Sequence, residues 1–264
     1  MPRDTAPCPA SAAADGEAPA VQVRDARLDF GGVALFAGLD LTLAAGQTTC
    51  LLGPSGVGKS SLLRLIAGLP GSGSGRVGDA GGRPLHGRIA YMAQEDLLLP
   101  WLSALDNVLI GYRLRGTRVD SALRARARDL LARVGLAENF EDRPAALSGG
   151  MRQRVALART LLEDRAVVLM DEPFAGLDAI GRQALQDLAA GTLAGRTVLL
   201  VTHDPLEALR LGDRLLVMAG RPAQLSDRVR PPPGTPPRPV EDPTLLSLQG
   251  SLLAQLAEAR AQTQ

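Results

Sequence analysis

At 264 residues, 45% of them hydrophobic, the chain can bury a substantial core as one large domain or a domain with a subdomain. Its 29 Lys and Arg balance 28 Asp and Glu, so it lacks the basic surplus that nucleic-acid binding draws on. Two distant cysteines, Cys8 and Cys50, argue against a disulfide framework or a cysteine metal site, and no apolar run reaches the roughly 18 residues of a membrane span; a chain that stays in the cytoplasm is expected.

Residues 1–20 are rich in Ala and Pro, without periodicity and without the apolar stretch of a signal peptide, and read as a disordered leader. Folding is expected to begin near Val21. The run VQVRDARLDF, and then LDLTLAAGQTTCLLG, alternate or accumulate apolar residues between glycine pairs, which predicts strands leading to a buried strand that ends at Leu52. The loop GPSGVGKS and the helix SSLLRLIAGL follow. Turn residues dominate 70–87 and suggest a small hairpin, before RIAYMAQ reads as another strand.

Between about 96 and 146 the pattern becomes helical. In VDSALRARARDLLARVGL, Leu123, Ala127, Leu130, Leu131 and Val134 recur at helical spacing, and the intervening arginines read as a solvated face. AVVLMDEP and TVLLVTHD look like buried parallel strands with polar groups at their carboxyl ends, where an open α/β sheet places its ligand. After a further strand, DRLLVMAG, the prolines of VRPPPGTPPRPVEDP predict a stiff linker, and the leucine-rich tail predicts a helix docked on the body. The expected division is a leader over 1–20, a main domain over 21–227 with a helical subdomain near 96–146, and a linker with a C-terminal helix over 228–264.

Gly53, Pro54, Ser55, Gly56, Val57, Gly58, Lys59 and Ser60 match G-x-x-x-x-G-K-[ST] between an apolar strand and a helix. Glycines let backbone N–H groups face inward, Lys59 reaches the β- and γ-phosphates, Ser60 ligates Mg²⁺, and Ser61 continues the helix start that favours anions. Asp171 and Glu172 end a strand, where one carboxylate can serve the metal shell and the other the attacking water. Leu147, Ser148, Gly149 and Gly150 precede the helical run MRQRVALARTLLED, with Ser148 placed as an N-cap. Alone, each acid pair or helix start has a plain structural reading.

Together, in this order and spacing, the three elements resemble the nucleotide-binding subunit of an ATP-binding cassette transporter over residues 21–225, in which LSGG is the family's signature. The resemblance implies an α/β fold: a P-loop NTPase core with a mixed sheet, an N-terminal antiparallel β subdomain and an inserted α-helical subdomain. It implies that Phe30 stacks on adenine, that Gln94 senses Mg²⁺ and begins a loop toward the membrane partner, that Asp178 belongs to the loop after the second acid, and that His203 contacts the γ-phosphate. Phe30 replaces the commoner tyrosine, Ala175-Gly176 the usual Ser-Ala, and Met151 a glutamine. In this architecture the signature lies too far from its own phosphate loop to share a nucleotide, so it serves the ATP of a second subunit.

A single cassette without fused spans is similar to an importer ATPase, with an exporter subunit or a lipoprotein-releasing ATPase as alternatives. About 90 residues between Lys59 and the signature leave no room for the coiled coil of DNA-repair relatives. The stretch YMAQEDLLLPWLSALDNV resembles the nitrate, sulfonate and taurine importers, and RPAALSGGMRQRVALARTLLEDRAVVLMDEP the hydroxymethylpyrimidine branch. The implied cofactors are ATP and Mg²⁺. The implied partners are a membrane permease, a second ATPase subunit and, indirectly, a periplasmic or extracellular substrate-binding protein, with no nucleic acid, at the cytoplasmic face of the inner membrane. Leu99 and Trp101 are expected to dock on the permease, with Trp101 alternatively filling the core of the helical subdomain.

Overall fold

The alternation in VQVRDARLDF becomes strand β1, Val21–Phe30, with Val21, Val23 and Ala26 fully buried. A two-residue turn, Gly31-Gly32, returns the chain antiparallel as β2, Val33–Leu43, in a register that pairs Val21 with Leu43 and Phe30 with Val33. Strand β3, Thr48–Leu52, then enters a second sheet, and β4, Ser74–Asp79, comes back to the first and pairs antiparallel with β1. The computed structural model describes residues 18–71, 73–227 and 229–263.

Two expectations change here. Residues 1–17 of the expected leader lie outside the described residues, but Ala18 is buried and the Pro19 carbonyl accepts a hydrogen bond from Thr197 Oγ1 at 2.7 Å, so the body begins before Val21. The turn-rich 70–87 segment is not a local hairpin: β4 finds its partner in β1, and its own turn, closed by Gly82 N to Asp79 O at 2.8 Å, leads away to β5, Ile89–Met92. Glycine and proline mark where a chain turns, and give no information on which strand it meets afterwards.

The larger sheet runs β5-β6-β7-β3-β8-β9, where β6 is Val167–Asp171, β7 Thr197–Val201, β8 Arg214–Ala219 and β9 Gln224–Ser226. All pairings are parallel except that of β9 with β8. Every residue of β6 and β7 is buried, as expected for parallel strands covered on both faces. Alternate side chains divide the core. Leu51, Val167, Leu169, Leu199 and Val201 meet Leu62, Leu63 and Ile66 of helix α1, Lys59–Ile66, and the small sheet, whereas Leu52, Val168, Met170 and Leu200 face the helices on the other side. This is the mixed-sheet α/β fold with an antiparallel β subdomain that the resemblance implied.

Helices α2, Ala104–Leu114, α3, Ser121–Arg133, and α4, Gly149–Leu162, pack on one another. Leu123, Ala127, Leu130, Leu131 and Val134 are all buried, and Arg126, Arg128 and Arg133 point outward. Because α4 packs on both α2 and α3, the helical layer continues beyond 146 into the helix that LSGG opens. Helices α5, Ala179–Leu193, and α6, Pro205–Leu211, cover the sheet beside it.

The proline-rich segment lies on the body rather than spanning solvent. Arg238, only 4% exposed, donates to Leu209 O at 2.8 Å, Gly212 O at 2.9 Å, Pro232 O at 3.0 Å and Gly234 O at 3.3 Å. The last turn of α6 offers carbonyls without helical partners and carries the negative end of the dipole, so a guanidinium is the side chain that satisfies both. Helix α7, Pro243–Thr263, follows and buries Leu245, Leu252 and Ala259 along one narrow seam against α6 and β8. Replacing Arg238 by Leu should strip several buried carbonyls of their donor and cost about 3 kcal/mol, read as a lower midpoint in urea unfolding with an unchanged slope.

Candidate functional site

The carboxyl ends of β6, β7 and β3 lie side by side, and each delivers one part of the site. After β3 the chain wraps through 53–58 into α1. Two of its glycines are required by space as well as by conformation. A Cβ on Gly53, φ +148°, would stand 2.3 Å from Met218 O, and one on Gly58, φ +109°, would stand 2.6 Å from the Phe36 ring. The loop is pressed between β8 and the small sheet, and its curvature aims the start of α1 at the strand ends.

Lys59 folds over this loop and donates to Gly53 O at 2.8 Å and Pro54 O at 2.9 Å. Burial lowers the pKa of its ammonium, and the carboxylates of Glu172 and Asp171 act in the opposite sense. The adjacent Asp171 is 2% exposed, and desolvation raises its carboxyl, countered by a hydrogen bond from Ser60 and by the charge of Lys59. A buried carboxylate, a hydroxyl and an ammonium that offset one another only in part make a site fit for a divalent cation and phosphate oxygens. The donor set, Ser60 and Asp171, is all oxygen, as Mg²⁺ requires. Among the described residues no group of three or more His, Cys, Asp or Glu gathers as a metal cluster.

Glu172 has φ +51°, an unusual conformation for a residue with a long side chain. Three hydrogen bonds maintain it: its N–H donates to Val201 O at 2.9 Å, and Gln153 Nε2 reaches Glu172 O and Pro173 O at 3.3 Å each. The turned backbone directs the carboxylate across to β7, where Oε2 meets His203 Nδ1 at 2.5 Å. The imidazole is exposed and Glu172 is nearly buried, so the pair opens to solvent on the histidine side.

The remaining expected residues are not drawn into this cluster. Phe30, 77% exposed, ends β1, and Gln94 is exposed two residues after β5, without a hydrogen bond to the described residues. Ser148 caps α4, its Oγ accepting from Met151 N at 3.2 Å, and Leu147 is buried beneath it. Gly149 is exposed and Gly150 partly so, and among the described residues no hydrogen bond joins the four signature residues to 53–61. Asp178 caps α5, accepting from Gly181 N at 2.8 Å, and hydrogen bonds of this kind hold its carboxyl low. Trp101 is 66% exposed and Leu97 also stands open, so the core reading of Trp101 falls away, whereas Leu99 is half-buried.

Sequence reasoning did not single out Gln153, Arg152 or Arg159. The first holds the Glu172 turn. The arginines hold the segment after Gln94: Arg152 Nε to the Asp96 carboxylate at 2.9 Å, and Arg159 Nη1 to Leu97 O at 3.0 Å. Their signal was faint but present, since 152 and 159 are two turns apart on one helical face. Glu207 was also missed: 5% exposed in the first turn of α6, it is pushed up to about 7 by desolvation.

The ABC transporter family matches residues 36–175. An uncharacterized ABC transporter ATP-binding protein of Haemophilus influenzae is 44% identical over 241 residues, covering 89% of this chain and 98% of the relative. An aliphatic sulfonates import ATP-binding protein of Rhodococcus jostii is 47% identical over 223 residues, with 84% and 86% covered. Among solved structures, a dimeric ATP-binding cassette in a post-hydrolysis state, bound to ADP and phosphate, superimposes with a TM-score of 0.72 at 26% identity, covering 81% of this chain and all of that one.

The cap geometry makes one measurement direct. Ser148→Ala removes the acceptor of Met151 N and should cost about 1 kcal/mol in urea unfolding, whereas Ser148→Asp keeps an acceptor at a positive helix end and should recover it.

Proposed function

The chain belongs to the ABC transporter family, and we propose that it is the ATP-hydrolysing subunit that powers import of a small molecule through a membrane permease. What most supports this reading is the meeting of Lys59, Ser60, Asp171, Glu172 and His203 at the ends of three neighbouring strands. The relatives from Rhodococcus jostii and Pseudomonas syringae are named aliphatic sulfonates import ATP-binding proteins, so a sulfonate is the first cargo to test. The likeness of the signature stretch to the hydroxymethylpyrimidine branch supplies the second.

In the proposed reaction the backbone N–H groups of 53–60 and the Lys59 ammonium hold the β- and γ-phosphates, with Phe30 stacked on adenine. Ser60 and Asp171 would hold Mg²⁺, assisted by Gln94, and the ion would neutralise charge on the phosphate oxygens. Glu172 orients the water and draws on its proton as oxygen attacks the γ-phosphorus. The bond to the bridging oxygen then breaks, giving ADP and phosphate. His203 braces Glu172 and contacts the γ-phosphate.

Ser148, Gly149 and Gly150 act on the nucleotide of a second copy, since no hydrogen bond among the described residues ties them to their own phosphate loop. ATP between two copies favours their closure, and loss of the γ-phosphate releases it. Asp178 lies on the same exposed side. The chain would attach at the cytoplasmic face through the exposed Leu97 and Trp101, which offer apolar surface to the permease. A binding protein would deliver cargo from the far side. No helix among the described residues is long and apolar enough to cross a membrane.

Glu172→Gln should bind ATP, hydrolyse it at least 100-fold more slowly and accumulate as an ATP-bound dimer in size-exclusion chromatography. Adding Ser148→Arg places a bulky cation where the partner's phosphate must fit and should return it to monomer; a double mutant that still dimerises on ATP removes the trans role of the signature. At the membrane surface, Trp101→Ala should leave the melting temperature within about 1 °C, as expected of an exposed side chain, and abolish cargo uptake by the assembled transporter. Uptake at the parental rate would remove Trp101 from the interface.

A further inference from the structure

A buried polar chain runs from the C-terminal segment to the histidine loop. The Arg238 N–H donates to Arg210 O at 2.9 Å, and Arg210 Nε returns a bond to Arg238 O at 3.0 Å. Arg210 Nη1 reaches Gln186 Oε1 at 2.7 Å, and Gln186 Nε2 donates to Glu207 Oε2 at 3.2 Å. All four side chains are 5% exposed or less. Gln186 has its amide oxygen on a cation and its amide nitrogen on a carboxylate, so its orientation is set from both ends. The chain ends beneath Thr202, whose Oγ1 accepts from Asp204 N at 3.0 Å. Thr202 and Asp204 are the two neighbours of His203.

The second oxygen of Glu207, Oε1, is buried with no hydrogen bond closing on it, although the Thr202 hydroxyl lies near enough to favour the charged carboxylate. A half-satisfied buried carboxyl is costly, and such a group persists where the structure uses it. Nothing in the hydrolytic reading above uses Glu207: its carboxyl lies beside the Thr202 hydroxyl, and its N–H donates to Asp204 Oδ1 at 3.3 Å, so it meets the residues on both sides of His203.

We propose that Glu207 is a positioning residue for hydrolysis: anchored through Gln186 and Arg210 to the C-terminal segment, it supports the Thr202–Asp204 backbone from below and so sets His203 against Glu172. This rests on the hydrolytic role proposed for His203 and Glu172, but the placement itself can be read without any activity. The consequence for the C-terminal segment is specific. By locking Arg210, Arg238 makes that segment part of the support of the site, which accounts for a buried cation paired with carbonyls.

Glu207 also carries a pH dependence. Desolvation raises it from 4.5 to about 7; Asp204 on its own helix cap and Glu172 at the end of β6 push the same way, and Gln186 and Thr202 push against them. Cys50 of β3 faces it as well, and Arg210 acts on it through Gln186. Because the folded pKa lies above the unfolded one, the folded chain binds the extra proton between these values. Stability from this group is complete below 4.5 and lost as pH rises through about 7.

The chain has only two histidines, His86 and His203, so imidazole NMR signals of the full chain are assignable with one His86→Gln control. In Glu207→Ala the His203 signals should move while those of His86 stay, kcat for ATP should fall at least tenfold, and nucleotide Kd should remain within twofold. Glu207→Gln, which keeps the shape, should hold the His203 signals near the parental position and flatten the fall of melting temperature between pH 5 and pH 8. Should Glu207→Ala not fold, Thr202→Val carries the same NMR test, since it removes the hydroxyl that joins the Glu207 carboxyl to Asp204 N. His203 signals unmoved in both Glu207→Ala and Thr202→Val overturn the positioning role. Signals that move in a chain whose parent hydrolyses no ATP uphold it and overturn the proposed function instead.

Discussion

Lys59 is the constraint around which the rest is arranged. Its ammonium is removed from much of the solvent, held by Gly53 O and Pro54 O, and compensated by Asp171 and Glu172 from a strand two positions away in the sheet. A cation so placed is tolerable only if the loop turns its carbonyls inward and the neighbouring strands end in acids. The first condition demands glycine where Gly53 crosses Met218 O, and the second demands that β6, β7 and β3 be adjacent and parallel. The sheet order and the phosphate loop thus answer to one electrostatic requirement.

The same requirement explains why the acid at the end of β6 is strained. A strand that continued straight would carry Glu172 away from β7; the left-handed turn at φ +51° brings its carboxylate to His203. Such a turn costs of the order of 1 kcal/mol or more and survives when neighbours over-determine it. Val201 O and Gln153 do so here. Since Gln153 belongs to α4, the helix that presents the signature is tied by its own first turns to the backbone of the proposed catalytic acid. With Arg152 and Arg159 of the same helix gripping the segment after Gln94, α4 links three regions whose motifs lie some 80 residues apart in the sequence.

What could be read from sequence was whatever is local. The strand-loop-helix of 48–66, the buried runs of β6 and β7, the α3 face and the Ser148 cap each depend on residues within about two turns of one another, and their patterns are visible in order. The misreadings share one cause. Strand β4 looked like half a hairpin because its partner, β1, lies some 50 residues upstream, and β9 was invisible because three residues carry no periodicity. Proline content suggested a stiff linker but not its location: Arg238 is the residue that ties the segment down, and an arginine among prolines has the composition of a solvated linker. Gln153 and Glu207 were overlooked because a buried polar side chain is recognisable only by what surrounds it.

The placement of Ser148 suits the proposed site shared between copies. Its hydroxyl is already engaged with Met151 N, and the caps of α5 and α6 are similarly closed by Asp178 and Asp204, so each helix start is satisfied within the chain. The backbone of Gly149 and Gly150 differs in lacking side chains that could fold over it, and it is open to solvent beside a positive helix end. A phosphate could be received there. Gln153 and Leu147 anchor this end of α4 from beneath, and 53–58 is pressed against Met218 O of β8 and the Phe36 ring. On the proposed reading, these two parts of one chain, each half-equipped for phosphate, would be completed by a second copy facing the first in the opposite sense.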